Sequence, residues 1–386
     1  MEIPSIKVLS PDLQLLNEID LYTSLQLSRS WQGVGSFELH ILGNQKNISV
    51  GNLIMLDNDG HRSGIIRSVT KTVDMNGIST TVTGQTLDGF TTQRVIIPST
   101  LKANGGYLAL PSATASAKTL PAETIIKIFA GACLGSDTTR PAYYALDESR
   151  QSNINIASTK GRGLKTNWLA RYDPLNEILQ SVSEYCDCGW EIYIDLKNSK
   201  LIFDYVPGID RSVSQSANSR VILSRDYESI DSLTYSYDQS GFKNLAYCGG
   251  VGEDFDRIYL AVTNDKSIPK GLNRFEVFED CGSLEVAETD TTISLSAEGK
   301  HKLKEYKLTE TLTAEIAQGG SFEYLKHWNL GDLVTVSDRE IGLMQDLRIT
   351  EVSESYETDS SQITVTLGTS PERLWRVIKK IKPTVR

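Results

Sequence analysis

One β-meander is spelled twice in this chain. The segment GNLIMLDNDGHRSGIIRSVTKTVDMNGISTTVTGQT begins at Gly51, and GDLVTVSDREIGLMQDLRITEVSESYETDSSQITVTLGTS begins at Gly331. Each opens G-[ND]-L-[IV] and then alternates apolar with polar residues, through Ile54 and Leu56 in the first copy and Val334 and Val336 in the second. Alternation with a period of two marks a strand with one buried face. Val69 and Val352 match next, and Val82 and Val365 follow them at the same spacing of 13. The second copy has three extra residues in its first turn, where a hairpin loop absorbs them. Little identity survives between the copies. What is duplicated is a pattern, a curled antiparallel sheet present in both halves of one polypeptide.

The surrounding sequence extends this plan. Ile19 and Leu21, Leu25 and Leu27, and Phe37, Leu39 and Ile41 continue the alternation, so the first hundred residues read as β throughout. Asp59-Gly60 and Asn76-Gly77 suit type I′ turns, whose central residues need positive φ. After Pro98 the composition shifts. The Ala/Ser/Thr/Gly-rich stretch near Tyr107 reads as an exposed connector rather than a gate. PAETIIKIFAGACLG predicts a helix with Pro121 in its first position and Gly135 at its exit. DPLNEILQSVSEYCDCGW predicts a second helix, capped by Asp173 and ended by Gly189, with an apolar stripe of Leu175, Ile178, Leu179, Val182 and Tyr185. WEIYIDLKNSKLIFDYV predicts a hairpin in which Trp190, Ile192, Ile194 and Leu196 face Leu201, Phe203 and Tyr205. SVSQSANS reads as a linker, and β-pattern returns after it with a helix at SAEGKHKLKEYKL. The expected fold is mainly β with an α+β insert: two related antiparallel β-barrels, a small α/β domain and short helices. Its divisions fall at 1–98 (first barrel), 99–219 (insert with loops), 220–370 (second barrel with helix and insert) and 371–386 (a basic tail).

The composition bounds the chemistry. The 386 residues are 39% apolar and 23% charged, a soluble globular balance. No run reaches the roughly 18 apolar residues of a membrane span, and the N-terminus does not resemble a secretory signal. The expected place of synthesis and assembly is a cytoplasm. Net charge is −10, with 39 basic against 49 acidic residues, so the chain lacks the basic footprint of a specific nucleic-acid binder. Five cysteines, Cys133, Cys186, Cys188, Cys248 and Cys281, are an odd number and argue against a disulfide framework. The Cys186-Asp187-Cys188 step lacks a second pair at zinc spacing, and the four histidines are scattered. No metal or cofactor is expected. GGVGED at Gly249 lacks the lysine and following helix of a phosphate loop and reads as a turn. DNDGH at Asp57 begins like a calcium loop but lacks the distal carboxylates. Neither H-E-x-x-H nor G-x-S-x-G occurs. A Ser–His or Cys–His pair, or two carboxylates for glycoside hydrolysis, would carry no local signature, so a hydrolase stays open as an alternative. A carbohydrate-reading β-protein is a second alternative. The five tryptophans do not recur within each copy as a repeated sugar platform requires, and most read as core or interface residues.

The C-terminal SPERLWRVIKKIKPTVR departs from the acidic balance. Leu374, Trp375, Ile378 and Ile381 share one face of a short helix, and Arg376 and Lys379 stand among the charges around it. Such a face folds back on its own domain or docks in a partner's groove, and the docking reading makes these six residues the candidate site.

These features resemble a family. IKVLSPDLQLLNEIDLYTSLQLSRSWQGVGSFELHI followed by VGNLIML is similar to the start of tail-hub proteins of tailed phages, the group of siphophage tail-tip hubs and of the baseplate hub of contractile tails. GFKNLAYCGG resembles the strand leading into such a hub's second barrel, and WNLGDLVTV its late G-D-x-[VI] strand. The resemblance implies two barrels of tail-tube fold per chain and no enzymatic activity. It also implies a homotrimer whose six barrels join the hexameric tail tube to a threefold tip in the virion tail. The partners it implies are tail-tube proteins and a tip, fibre or spike protein. DNA would pass through the lumen without specific binding. Many siphophage tail-tip proteins continue into a fibre, peptidase or wall-degrading region, so here that activity is expected on a separate polypeptide.

Overall fold

The computed structural model describes residues 3–75, 77–96, 119–136, 152–166, 168, 170, 172–250, 252, 256–281, 295–296, 299–300, 302–303, 306 and 309–368. Two compact units divide the chain, Met1–Leu233 with Thr313–Leu367, and Thr234–Leu312 with Gly368–Arg386. The fold is mainly β. The chain opens with β1 (Ile6–Leu9), β2 (Leu15–Ile19), β3 (Ser24–Ser30), β4 (Ser36–Leu42), β5 (Leu53–Leu56), β6 (Asp59–Asp74) and β7 (Gly77–Thr86). The insert follows as β8 (Leu120–Pro121), α1 (Ala122–Leu134), β9 (Ile154–Ile156), β10 (Lys165–Thr166), α2 (Leu175–Cys186), β11 (Gly189–Asp195) and β12 (Lys200–Val206). Then come β13 (Ile222–Leu223) and β14 (Ile230–Asp238). In the second unit, β15 (Leu245–Gly249) pairs with β16 (Tyr259–Val262) and β17 (Glu276–Asp280) around a core that includes Ala246, Cys248, Val262 and Leu303. Last are β18 (Thr309–Ile316), β19 (Leu333–Asp338), β20 (Leu343–Glu357) and β21 (Ser360–Gly368), with β14 and β18 running across the unit boundary.

The duplication read from the sequence is a duplication of topology. The first set lies in the order β3-β4-β7-β6-β5, with β1 beside β5. The second lies in the order β14-β18-β21-β20, with β19 beside β20 and β13 beside β19. In chain order, both sets place their first strand by the second, the second by the fifth, the fifth by the fourth, and the fourth by the third. The backbone repeats as well. Gly51 N–H donates to Ile66 O at 2.9 Å, Ile66 N–H to Asn52 O at 2.9 Å and Asn52 N–H to Ser49 O at 3.1 Å. Gly331 N–H donates to Ile349 O at 2.9 Å, Ile349 N–H to Asp332 O at 2.9 Å and Asp332 N–H to Asn329 O at 3.2 Å. Gly51 and Gly331 have φ of 91° and 87°, a conformation that a Cβ strains. The G-[ND]-L motif is therefore a backbone requirement, a left-handed step that swings the chain into the third strand.

Two apolar cores share β5. Ile54 and Leu56 pack with Leu25, Leu27, Phe37, Leu39 and Val82 inside the first meander. Leu53 and Met55 face the other way and pack with Ile65 against the insert, where Ile125, Phe129, Leu179, Trp190 and Phe203 are buried. A strand covered on both faces loses the polar half of its alternation, which is why LIML is buried throughout. Val69 and Val82 are direct cross-strand partners.

Several local details differ from the sequence reading. Asp57 and Asn58, with φ of 47° and 61°, make the β5–β6 turn in place of Asp59-Gly60. Gly60 lies in β6, where a Cβ would stand 1.9 Å from Ile194 O. Asn76 lies outside the described residues. Helix α1 begins one residue after Pro121, and α2 begins after Pro174, without a side-chain cap bond at either N-cap. Asp187, not Gly189, takes the left-handed exit of α2 (φ 49°). Gly189 is instead in β11, where a Cβ would meet Trp31 Nε1 at 2.2 Å. Leu21, Tyr185 and Leu196 are exposed rather than inward, and Tyr185 meets the Trp168 ring edge-on at 6.0 Å. No helix among the described residues is long and apolar enough to cross a membrane.

The two motif glycines separate conformation from crowding. A Cβ on Gly51 meets open space, whereas one on Gly331 would stand 2.4 Å from Trp31 Nε1. Gly51→Ala should cost about 1 kcal/mol from φ alone, and Gly331→Ala at least about 2 kcal/mol more, by denaturant titration. Equal losses would show that Trp31 does not constrain the second copy.

Candidate functional site

The two meanders meet in a seam. β20 pairs antiparallel with β3, from Glu351 opposite Ser30 to Glu357 opposite Ser24. Alternation along both strands gives the seam two chemically different faces. On one face stand Ser28, Gln26, Ser353 and Ser355. They line a shallow polar cavity of about 640 Å³ together with Glu38, Thr83, Gln85 and Arg67. Ser28 and Ser353 share a hydroxyl hydrogen bond of 3.0 Å across the seam, and Ser28 also donates to Glu351. Arg67 is held by Gln85 at 3.2 Å and Gly89 O at 3.1 Å.

The opposite face is buried and charged. Leu25, Leu27 and Arg29 on β3 stand against Val352, Glu354 and Tyr356 on β20, all of them buried. Glu354, 1% exposed, accepts from Arg62 Nε of the first meander at 3.0 Å, from Tyr356 at 2.8 Å and from Tyr324 at 3.0 Å. Arg29 donates to Tyr324 at 2.7 Å, to Asn329 at 3.0 Å and to the His61 carbonyl at 3.2 Å. Burial opposes the charge on Arg62, but Glu354 outweighs it and raises the guanidinium above its ordinary pKa. Burial, then Glu354, raises the Tyr356 phenol. The network thus keeps Arg62 charged and the Tyr356 hydroxyl protonated as a donor.

Trp31, at the end of β3, ties the insert to this seam. Its N–H donates to Thr350 O at 2.9 Å, its indole Nε1 donates to Val206 O at 3.1 Å, and the Arg348 guanidinium stacks 4.7 Å above its ring. Asp88 is a second anchor, accepting from Ile192 N–H at 2.7 Å and from the Thr86 hydroxyl at 2.9 Å. Burial pushes its carboxyl up to about 7. Within the insert, buried Glu123 accepts from Lys127 at 2.9 Å and from the Arg162 backbone and side chain, both at 2.9 Å. Burial alone would raise Glu123, yet these cationic partners hold it well below the carboxylate range. These groups staple elements together through hydrogen bonds to structural partners.

All five cysteines are buried thiols. Burial pushes the Cys188 thiol up to about 12, which leaves it protonated and unreactive. No three His, Cys, Asp or Glu side chains among the described residues gather in a geometry that could hold a metal. The sequence candidates Leu374, Trp375, Arg376, Ile378, Lys379 and Ile381 lie outside the described residues. The seam itself escaped sequence reading. Its one local trace is Glu354 at a position where the β20 alternation calls for an apolar residue, between Val352 and Tyr356.

Removing one member of a buried ion pair strands the other. Glu354→Gln should therefore lower stability by about 3 kcal/mol in denaturant titration, whereas Ser353→Ala on the polar face should change it by less than about 1 kcal/mol. Similar small losses from both would show that the buried charge does not hold the seam.

Residues 5–369 match the family described as Siphovirus ReqiPepy6 Gp37-like protein. No curated protein sequence matches. Among solved structures, the tail protein from Neisseria meningitidis MC58 aligns with a TM-score of 0.51 and 13% identity, over 95% of this chain and 97% of that one. The 43 kDa tail protein of prophage MuSo2 from Shewanella oneidensis aligns with a TM-score of 0.51 and 14% identity, over 95% of this chain and 98% of that one. Identity at this level shows a shared fold. With the phage tail-protein fold over nearly its full length and a family match across its whole β framework, this chain belongs to the Siphovirus ReqiPepy6 Gp37-like protein family.

Proposed function

We propose that the chain is a structural component of the virion tail and serves as its hub, three copies closing a ring of pseudo-sixfold character between a sixfold tube and a threefold tip. The observation that supports this most is the repeated strand order, joined edge to edge where β20 meets β3. Closed rings need matching contact surfaces at each level. A chain holding one sheet twice offers six near-equivalent surfaces from three copies, so it matches a sixfold neighbour on one side and a threefold one on the other.

The polar face of the seam suits the lining of a bore. Its hydroxyl and amide groups, with Glu38, offer phosphates little attraction, and Arg67, the one cation lining it among the described residues, is engaged within the chain. A net charge of −10 acts in the same direction. DNA then passes without being held. In this reading the chain works by shape rather than catalysis, and residues 371–386 attach the tip partner.

Native mass spectrometry of the full chain released from assembled tails should give a trimer. Dimers, or monomers from tails in which no threefold collar is visible by electron microscopy, would overturn the hub reading. Deletion from Pro371 onward should leave the trimer intact and yield tails lacking a tip, and a complete tip on that variant would remove the docking role of Leu374, Trp375, Ile378 and Ile381.

A further inference from the structure

We propose that the ring closes by strand pairing between β6 of one copy and β14 of the next, with Lys71 of the first copy donating to Gln345 of the second. This rests on the hub reading and names its contact. The argument comes from the seam, which shows how one meander joins another. The far half of the long strand β20 (Glu351–Glu357), on the side away from β21, takes up β3. The equivalent of β20 in the first meander is β6, at an offset of 283 set by Val69 and Val352, and the equivalent of β3 is β14. The far half of β6 is then the run from Ser68 onward, where β7 pairs on one side and β5 has already ended on the other, its pairing confined to Asp59–Ile65. Among the described residues β14 is a terminal strand of the sheet. Each chain thus presents one long-strand edge and one first-strand edge, the two halves of a joint it already makes once internally. Different edges on the two sides make the contact heterologous, and a heterologous contact generates a ring when its rotation closes.

Side-chain burial follows the same logic. Tyr356 is 1% exposed under the seam, whereas Val73 at the matching position of β6 is 75% exposed. Glu354 is buried, and Lys71 at its matching position is exposed, resting on Asn44 at 2.8 Å. The Arg62 position, advanced by the same 283, is Gln345. In the seam, Arg62 donates to Glu354. In the second meander, Gln345 Oε1 is shielded from solvent and meets no donor among the described residues. A second copy of this chain supplies that donor: Lys71 replaces the acid, Gln345 replaces the arginine, and the hydrogen bond reverses its direction. A strand edge also gives its pairing N–H and C=O groups to the new neighbour, which is the affinity of β-augmentation.

An edge lysine is also a common device against unwanted pairing, so a charge swap separates the two roles. Lys71→Glu should raise the concentration for half-assembly of trimer about tenfold, and adding Gln345→Arg, which rebuilds the Glu–Arg pair of the seam, should return it to within about threefold of the parent. If Lys71 only guards the edge, Lys71→Glu leaves trimer assembly unchanged and Gln345→Arg rescues nothing, and either result overturns the proposal. Val73→Asp, at an exposed site, should leave the monomer's melting temperature unchanged and abolish trimer, which keeps the test valid if Gln345→Arg fails to fold. A wild-type ring insensitive to Lys71→Glu and Val73→Asp overturns the strand pairing alone, and tails without any wild-type ring overturn the hub reading with it.

Discussion

The antiparallel pairing of β3 with β20 is the constraint on which the rest depends. It makes one sheet of two meanders separated by the whole insert, and it sets which side chains of either meander face inward. A slip of one residue would turn Glu354 onto the polar face and carry Ser353 inward, leaving Arg62 charged, buried and without its partner. Buried ion pairs add little net stability over a well-packed apolar pair, but a misregistered one costs several kcal/mol. The network of Arg62, Glu354, Tyr356 and Tyr324 therefore acts on register, and register decides which faces become polar wall and which become core.

The insert is bound to this framework from behind. β5 has no solvent face: Ile54 and Leu56 belong to the meander, and Leu53 and Met55 to the insert. Trp31 completes the junction by touching the first meander, the second and the insert at once, which is why Gly189 and Gly331 both lie against its indole. The ion cluster around Glu123 lies on the insert's own elements and closes the segment through Arg162 onto α1. A rigid α/β unit seated on a β framework and stapled by buried charges suits a structural part.

The divergence of the two copies is as informative as their likeness. Backbone steps that need a particular φ are kept, so Gly51 and Gly331 repeat one hydrogen-bond ladder. Positions inside each sheet keep their apolar character, as at Val82 and Val365. Some of the changes fall where the surroundings differ. Beneath the seam are Glu354 and Tyr356, and on the open half of β6 are Lys71 and Val73. Equivalent folds can differ at such points, because shape is set by the alternation.

Local sequence determined a great deal. The period of two in Phe37–Ile41, the stripe of Leu175, Leu179 and Val182, and the facing of Trp190, Ile192 and Ile194 with Tyr205, Phe203 and Leu201 depend on neighbours a few positions away and take the expected form, whereas Tyr185 and Leu196, at the ends of those patterns, are exposed. Tertiary structure decided the rest. Glu354 and Arg62 are 292 positions apart, Gly189 is a glycine because of Trp31, and Leu53 is buried because an insert more than sixty residues downstream lies on it. Periodicity records which face of an element is apolar. It carries no record of what covers that face, because the covering contact is made by a distant segment whose arrival is settled only when the whole sheet closes.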